Sequence, residues 1–118
     1  KHLTSVEIGK IDIRIGHNEM TFYGGNIGYE IYPPYQGHHY AAKACLIIKK
    51  IALLHGMTYV YISCLPENIP SNKTCQRLKT SWLGTYLIPF HNEMYLVGVR
   101  QINVYEWILN SNEGFRYV

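Results

Sequence analysis

The 118-residue chain is 47% hydrophobic and 16% charged, a composition typical of one folded domain rather than of a disordered or fibrous chain. Its formal charge of +3 comes from eleven scattered Lys and Arg residues, and Lys49-Lys50 is the only adjacent basic pair, so no nucleic-acid arm is predicted. The three cysteines lack a metal-ligand spacing, and no apolar stretch has the length of a membrane span. We therefore expect a single cytoplasmic domain over residues 1–118, without metal, nucleic-acid or membrane partners.

The first half of the chain contains two alternating segments that predict strands. Residues 6–15 alternate polar and apolar side chains and end at a Gly-His-Asn turn. Residues 26–32 alternate again and place Ile27, Tyr29 and Ile31 on one face. Two consecutive prolines then stop this second strand.

A helix is predicted over residues 38–55, because the apolar period changes from two to about 3.6 residues. Its apolar stripe is broad, with Ile47, Ile51 and Leu54 widening it, so the helix is expected to be well buried. Residues 58–64 follow as a core strand rich in β-branched and aromatic side chains. A strand-helix-strand unit of this kind predicts two parallel strands joined by a right-handed crossover.

The second half predicts one more helix and two more strands. Residues 71–78 are typical of a short helix entered through Pro70 and a capping Ser or Asn. Residues 86–88 and 94–109 contain aromatic and branched side chains and are separated by a Pro-Phe-His-Asn turn. They predict a long antiparallel hairpin, and the polar residues from position 110 onward are expected to be loose.

The segment before the long helix is a candidate anion site. Backbone N–H groups at a helix start have no partner within the helix, and the helix dipole places about half a positive charge there. Gly37 lets the backbone approach a phosphate closely, and ligands of open α/β sheets bind beyond the carboxyl ends of strands. The residues alone leave a second interpretation open, in which Gly37 only makes a tight turn after two prolines.

Residues 36–41 resemble motif A of the GNAT superfamily of acetyltransferases, whose pattern is Gln/Arg-x-x-Gly-x-Gly/Ala. Gln36 and Ala41 occupy the first and last places, whereas His39 stands in the place of the central glycine. A side chain at this place would crowd the pyrophosphate or widen the loop.

Residues 66–75 are similar to the family's Asn-x-x-Ser segment, with Asn68 and Ser71 in the matching places. The likeness extends to residues 25–31 and 95–109, so it covers most of the chain. It implies an α/β (α+β) fold with a mixed, mostly antiparallel twisted sheet, a parallel strand-helix-strand unit and a central buried helix.

The resemblance implies acetyl-CoA as cosubstrate and an amine as acceptor. The residues that it places around acetyl-CoA are Ile31, Tyr32, Gln36, Gly37, His38, His39, Tyr40, Ala41, Asn68, Ser71 and Lys73. Amides of residues 37–41 would hold the pyrophosphate, and the strand at residues 30–32 would pair with the pantetheine arm. Asn68 and Ser71 would line the other side of the arm. Lys73 is a candidate for the adenosine 3'-phosphate, or else an ordinary solvated lysine.

Direct acetyl transfer needs a base for the amine proton, and Glu30 is the first candidate. It lies on the face opposite Tyr29, and burial among tyrosines would strengthen it as a base. The other interpretation is a strand glutamate that simply faces solvent. Some relatives use a tyrosine after the Asn motif as an acid, and here Cys75 stands in that place. A buried small side chain is the better interpretation of Cys75.

The family's usual first strand and two helices would precede residue 6, and no such elements are expected in this sequence. An uncovered sheet edge would then favour a homodimer. The alternative to an enzyme is a non-catalytic CoA-binding or protein-interaction module of the same fold, suggested by His39. A flavodoxin-like regulatory domain ranks lower, because repeated strand-helix units and acidic strand ends are missing.

Overall fold

A computed structural model describes residues 5–109, which contain five strands and four α-helices. In chain order they are β1 (Gly9–Ile13), α1 (Glu19–Gly24), β2 (Ile27–Ile31), α2 (Tyr40–Leu54), β3 (Tyr59–Cys64), α3 (Ile69–Arg77), β4 (Ser81–Leu87), α4 (Glu93–Leu96) and β5 (Gln101–Ile108), with a 3-10 turn at Pro33–Tyr35. Within this range no helix is long and apolar enough to cross a bilayer. The loose tail expected from position 110 onward lies outside the described residues.

The strands form two small antiparallel sheets. Strand β1 pairs with β2, and β5 lies between β3 and β4. The mixed α+β fold with antiparallel strands expected from the sequence is therefore confirmed, whereas both described sheets are purely antiparallel. Because antiparallel neighbours need only short connections, β4 and β5 can pair across the turn that the sequence predicts between them.

The β2-α2-β3 unit differs from the expected pair of adjoining strands. Within the described residues β2 and β3 share no ladder, and they are bridged by Asn26, which immediately precedes β2. The Asn26 N–H donates to the Tyr61 carbonyl at 2.7 Å, and the Tyr61 N–H donates to Asn26 Oδ1 at 2.8 Å. The Asn26 side-chain oxygen thus takes the place of the backbone carbonyl that would accept this bond in a regular strand pair. Beyond Asn26, β2 and β3 form no strand pair within the described residues.

Helix α2 covers the core from one side only. Its buried residues include Cys45, Ile48 and Ala52, as the predicted stripe requires. The expected widening of the stripe is wrong, because Ile47 and Leu54 are 66% and 85% exposed. A side chain one position from a buried one points about 100° away around the helix, and no described element covers that face. The other buried members of this core are Ile27, Met57, Val60, Ile62, Cys64, Cys75, Tyr105, Trp107 and Leu109.

Three element boundaries differ from the prediction, two of them at capped helix starts. Residues 93–96 are helical rather than extended, because Asn92 caps α4 by accepting from the Met94 N–H at 2.9 Å, and β5 begins only at Gln101. Strand β4 begins at Ser81, earlier than predicted. Helix α3 begins at Ile69 with Asn68 as its cap. Helix α1 was not predicted, although an Asn-x-x-Thr capping box marks its start.

Candidate functional site

The loop that leads into α2 is held in place by Gln36. The Gln36 Nε2 donates to the Ile31 carbonyl at 2.9 Å, and its backbone N–H donates to the Pro33 carbonyl at 3.3 Å. The next residue, Gly37, has a φ of 89°, where a side chain is strained. The chain therefore turns from β2 into α2 along one defined path.

Helix α2 is the only one of the four described α-helices without a side-chain cap. The N-caps of α1, α3 and α4 are Asn18, Asn68 and Asn92, and each accepts a backbone N–H of its own helix. The N-cap of α2 is His39, whose side chain makes no such bond. In the described part of the chain the N–H groups of residues 37–42 have no hydrogen-bond partner. This row of amides, with the helix dipole behind it, is suited to an anion.

The backbone of His39 explains why a glycine suits this place in the motif. His39 adopts the left-handed conformation with φ 61° and ψ 24°, which costs an L-residue about 1–2 kcal/mol. Its side chain is exposed and makes no hydrogen bond within the described residues. The neighbouring His38 and Tyr40 rings lie 5.4 Å apart, and the Lys43 Nζ is 5.6 Å from the Tyr40 ring centre. A cation thus stands close to the unpaired amides.

The edge of β2 that faces β3 carries free backbone groups. The Tyr32 N–H donates to the Ile8 carbonyl at 2.9 Å, on the β1 side. The Arg14 N–H donates to the Asn26 carbonyl at 2.7 Å on the same side. Because bonding alternates along an antiparallel pair, the N–H and C=O of Tyr29 point away from β1 into the gap before β3. The sequence analysis named residues 30–32 for this edge and missed Tyr29.

Two of the residues named for this edge, Ile31 and Tyr32, already form hydrogen bonds within the protein. The Ile31 carbonyl accepts from the Gln36 side chain. The Tyr32 hydroxyl donates to the Glu7 carboxylate, and this hydrogen bond raises the pKa of Tyr32. The structure therefore leaves fewer free groups at residues 31–32 than the resemblance implies.

Glu30 lies on the solvent side of β2. Its Oε1 is 3.6 Å from the Nζ of Lys10, which is its partner across the strand pair. The Glu30 side chain is 57% exposed, so the expected burial among tyrosines is wrong. Opposite residues of an antiparallel pair share a face, and here that face is open to water. Glu30 is a solvent-exposed carboxylate beside a lysine rather than a buried base.

Helix α3 brings Asn68 and Ser71 to the same end of the sheet as the end of β3. The Asn68 Oδ1 accepts from the Ser71 N–H at 3.2 Å, so this oxygen caps its own helix. Lys73 lies one turn further and is exposed. Helix α3 packs on α2 and β3, which places the Asn68 segment beside the element that carries the unpaired amides.

Asn72 anchors the start of α3 to the sheet, and the sequence analysis missed it. Its Oδ1 accepts from the Tyr105 hydroxyl at 2.6 Å and from the Asn103 Nδ2 at 2.8 Å. Its Nδ2 donates to the Asn68 carbonyl at 2.8 Å and to the Leu65 carbonyl at 3.1 Å. No local pattern marks such a residue, because its partners come from a distant strand.

The Tyr29 side chain ends in a buried hydroxyl that has no hydrogen-bond partner among residues 5–109. Burial raises the pKa of Tyr29 to about 12, and the nearby Ser71 and Thr74 side chains act in the opposite direction. An unpaired buried hydroxyl beside Ser71 is a polar group that a ligand in the gap between β2 and α3 can satisfy.

Cys75 is fully buried, as its interpretation as a small core side chain requires. The hydrogen bond to Cys64 and burial both raise the pKa of the Cys75 thiol. Burial likewise raises the pKa of Cys45 to about 12. All three cysteines are free, and within residues 5–109 no group of three His, Cys, Asp or Glu side chains is arranged to hold a metal ion.

A family model described as an acetyltransferase (GNAT) domain matches residues 2–80, which is more than half of the chain. The match spans β1 to α3 and includes the uncapped start of α2 and the Asn68–Ser71 segment. Neither a curated protein nor a solved structure matches the sequence significantly.

Proposed function

Because the chain belongs to the GNAT acetyltransferase family, we propose that it is an N-acetyltransferase that uses acetyl-CoA and an amine acceptor. The observation that carries this proposal is the row of unpaired amides at residues 37–42, at the start of the only uncapped helix among those described. Backbone N–H groups at a helix start bind phosphate oxygens without needing a charged side chain. The pyrophosphate of acetyl-CoA is the ligand that suits this corner.

The rest of acetyl-CoA is proposed to follow the gap between β2 and α3. The free N–H and C=O of Tyr29 would pair with the amides of the pantetheine arm as an added strand does. Asn68 and Ser71 would line the opposite side, where the unpaired Tyr29 hydroxyl also lies. Lys73 is proposed to contact the adenosine 3'-phosphate, because its exposed ammonium lies on the same helix.

Bound acetyl-CoA supplies a thioester carbonyl that is activated towards amines. The amine nitrogen forms a bond to the carbonyl carbon and loses one proton to a base, while the carbon–sulfur bond breaks and the departing CoA thiolate takes up one proton. Glu30 stays the candidate for taking this proton. Its solvent-exposed carboxylate can accept a proton directly or through water. Replacing Glu30 with glutamine should lower kcat by at least about tenfold and leave acetyl-CoA binding unchanged.

Calorimetry with acetyl-CoA tests the proposal directly. We expect heat of binding and a higher unfolding temperature at cofactor concentrations above Kd. The absence of both at concentrations on the order of 1 mM would contradict the proposal, since a GNAT enzyme without affinity for its cosubstrate cannot work at cellular concentrations. As a control, Lys50→Gln changes a charge on the exposed side of α2 outside the proposed site and should bind acetyl-CoA as the wild type does.

A non-catalytic CoA-binding or interaction module is the second candidate. The observation that favours it is His39 in the left-handed conformation that the motif gives to glycine. Calorimetric binding without release of free CoA thiol in the presence of an amine panel would support this alternative. Detectable turnover would exclude it. A homodimer and a cytoplasmic location also stay predictions, and light scattering at high concentration checks the first.

A further inference from the structure

An open cleft of about 410 Å³ lies between two turns at the end of the three-stranded sheet. One wall is the β3–α3 turn, residues 65–67, and the other is formed by residues 97–101, which lead from α4 into β5. None of the residues that we place around acetyl-CoA lines this cleft. Its first wall, however, ends at Glu67, next to Asn68.

The strand register explains why the cleft exists. The last pair between β3 and β5 is Cys64 with Asn103, whereas β5 begins at Gln101. Strand β5 therefore extends beyond the end of β3, and the chain leaves the sheet through Pro66 instead of covering this step. Both walls are fixed by backbone hydrogen bonds, from the Asn68 N–H to Leu65 at 2.9 Å and from the Val99 N–H to Met94 at 2.9 Å.

Arg100 lines this cleft, and its guanidinium is held against the neighbouring Tyr95. Its Nη1 donates to the Tyr95 carbonyl at 2.7 Å, and its Cζ lies 3.6 Å from the centre of the Tyr95 ring. Within residues 5–109 it forms no ion pair with a carboxylate. The contacts use one nitrogen, so the Nε and Nη2 donors are available for a planar anion. Such a fork matches a carboxylate, and its stacking on Tyr95 reduces the entropy lost on binding.

Glu67 supplies the opposite charge on the facing wall. Its carboxylate is exposed and has neither an ion pair nor a side-chain hydrogen bond among the described residues. Glu67 and Arg100 thus line one cleft without pairing with each other. A ligand that satisfies both must carry a cation and an anion on a small frame. Apolar side chains from Leu65 and Val99 complete the walls.

We propose that this cleft is the acceptor site and that the acceptor is a free amino acid, with its carboxylate on Arg100 and its ammonium near Glu67. This inference rests on the proposed acetyltransferase function. Glu67 directly precedes Asn68, which we place beside the pantetheine arm, so an amine held at Glu67 would lie close to that arm. Acetylation then converts the ammonium into a neutral amide by forming a carbon–nitrogen bond, breaking the carbon–sulfur bond and releasing one proton and CoA. Loss of the positive charge removes the attraction to Glu67 and favours product release.

The test compares each of the proteinogenic amino acids with its own carboxamide, which keeps the amine and removes the carboxylate. Release of free CoA thiol measures turnover. For at least one amino acid we expect kcat/KM to exceed that of its amide by at least about tenfold, the size typical of a charged hydrogen bond. Equal use of acids and amides, or preference for simple alkylamines, would overturn the proposal.

Variants of Arg100 and Glu67 test whether the preference for the free amino acid arises in this cleft. Arg100→Gln should remove the preference for the free acid, and Arg100→Lys should restore only part of it because a lysine lacks the fork. Arg77→Gln, an exposed arginine at the end of α3, is the matched control and should keep the preference. Glu67→Gln should weaken acceptor binding by about tenfold, whereas the control Glu93→Gln should not. A preference that survives Arg100→Gln in a folded variant would place the carboxylate elsewhere.

Two binding measurements separate this inference from the proposed function. Ligand-observed NMR with the preferred amino acid, in the absence of acetyl-CoA, reports on the cleft alone. Calorimetry with acetyl-CoA alone reports on the start of α2. If acetyl-CoA binds and no free amino acid binds or reacts, only the acceptor inference fails. If acetyl-CoA does not bind, the enzyme proposal fails, and amino-acid binding that is sensitive to Arg100→Gln would still identify the cleft as a ligand site.

Discussion

Replacing His39 with glycine should stabilise the protein, because His39 adopts a left-handed backbone conformation with φ 61° and ψ 24°. Relief of this strain is worth about 1–2 kcal/mol, and the greater flexibility of glycine in the unfolded chain offsets about 0.5–1 kcal/mol. The net gain is about 0.5–1 kcal/mol in the free energy of unfolding. For a domain of this size that corresponds to a rise in Tm of about 2–4 °C. Thermal unfolding followed by circular dichroism measures it.

The same position tests where the pyrophosphate binds. Strain at His39 is present in the free and the bound protein and cancels in the Kd, so a change in affinity reports only on contacts of the side chain. A carboxylate placed about 6 Å from a phosphate charge, at an effective dielectric constant of about 40, costs about 1.4 kcal/mol. His39→Glu should therefore weaken acetyl-CoA binding by about tenfold, and His39→Gly should equal or improve on the wild type.

Lys79 provides the matched control, because it is the other described non-glycine residue with a positive φ, at 60°. It follows α3, on the far side of that helix from its capped start. Lys79→Gly should raise Tm by a similar amount and leave the Kd for acetyl-CoA unchanged. The reasoning is refuted if His39→Glu binds acetyl-CoA as tightly as the wild type, or if Lys79→Gly alters the Kd as much as the His39 variants do.

Three further predictions follow from buried or paired polar groups. Tyr29→Phe removes a buried hydroxyl without a partner, so at pH 7 the free energy of unfolding should stay equal or rise by about 1 kcal/mol, as urea unfolding would show. Because burial raises the pKa of Tyr29 from 10.0 to about 12, the wild type should also lose stability as the pH rises from 10 to 12, and this loss should be smaller in Tyr29→Phe. Asn72→Ala leaves the Tyr105 hydroxyl and the Asn103 amide unpaired and should lower the free energy of unfolding by about 2 kcal/mol. The control Gln76→Ala, on the exposed side of α3, should lower it much less. Equal urea midpoints for the two variants would contradict the anchoring role of Asn72. The hydrogen bond from His91 lowers the pKa of Glu19. The stability that this contact contributes is present above the ordinary pKa of 4.5 and is lost as the pH falls through the lowered pKa, so His91→Ala should reduce the loss of stability at low pH. An unchanged dependence of Tm on pH would exclude the contact in solution.

The elements with a strong local signal were predicted well. The change of apolar period identified α2, and the β-branched and aromatic side chains of residues 58–64 identified β3, whose buried face carries Val60, Ile62 and Cys64. Asn68 caps α3, as one of the two caps that the sequence offered. Each of these features depends on side chains within a few positions of one another, so it can be predicted from a single sequence.

The candidate site was predicted only in part. The motif order placed the turn at Gln36–Gly37 and the Asn68–Ser71 segment, but the environment of Glu30 was wrong because Lys10 faces it only through the β1–β2 register. Tyr29, Asn26 and Asn72 were missed because each acts on a partner far along the chain. Their roles for a ligand stay proposals.

By itself, the sequence determined where the chain turns, which segments are helical or extended and which motifs they carry, because backbone preferences and side-chain periodicity are local properties. Only the tertiary structure decided that α2 is buried on one side, that Asn26 bridges β2 and β3, and that Arg100 and Glu67 line one cleft without pairing. Exposure, hydrogen-bond partners and charge environment depend on atoms brought together from distant segments, and no local pattern contains them.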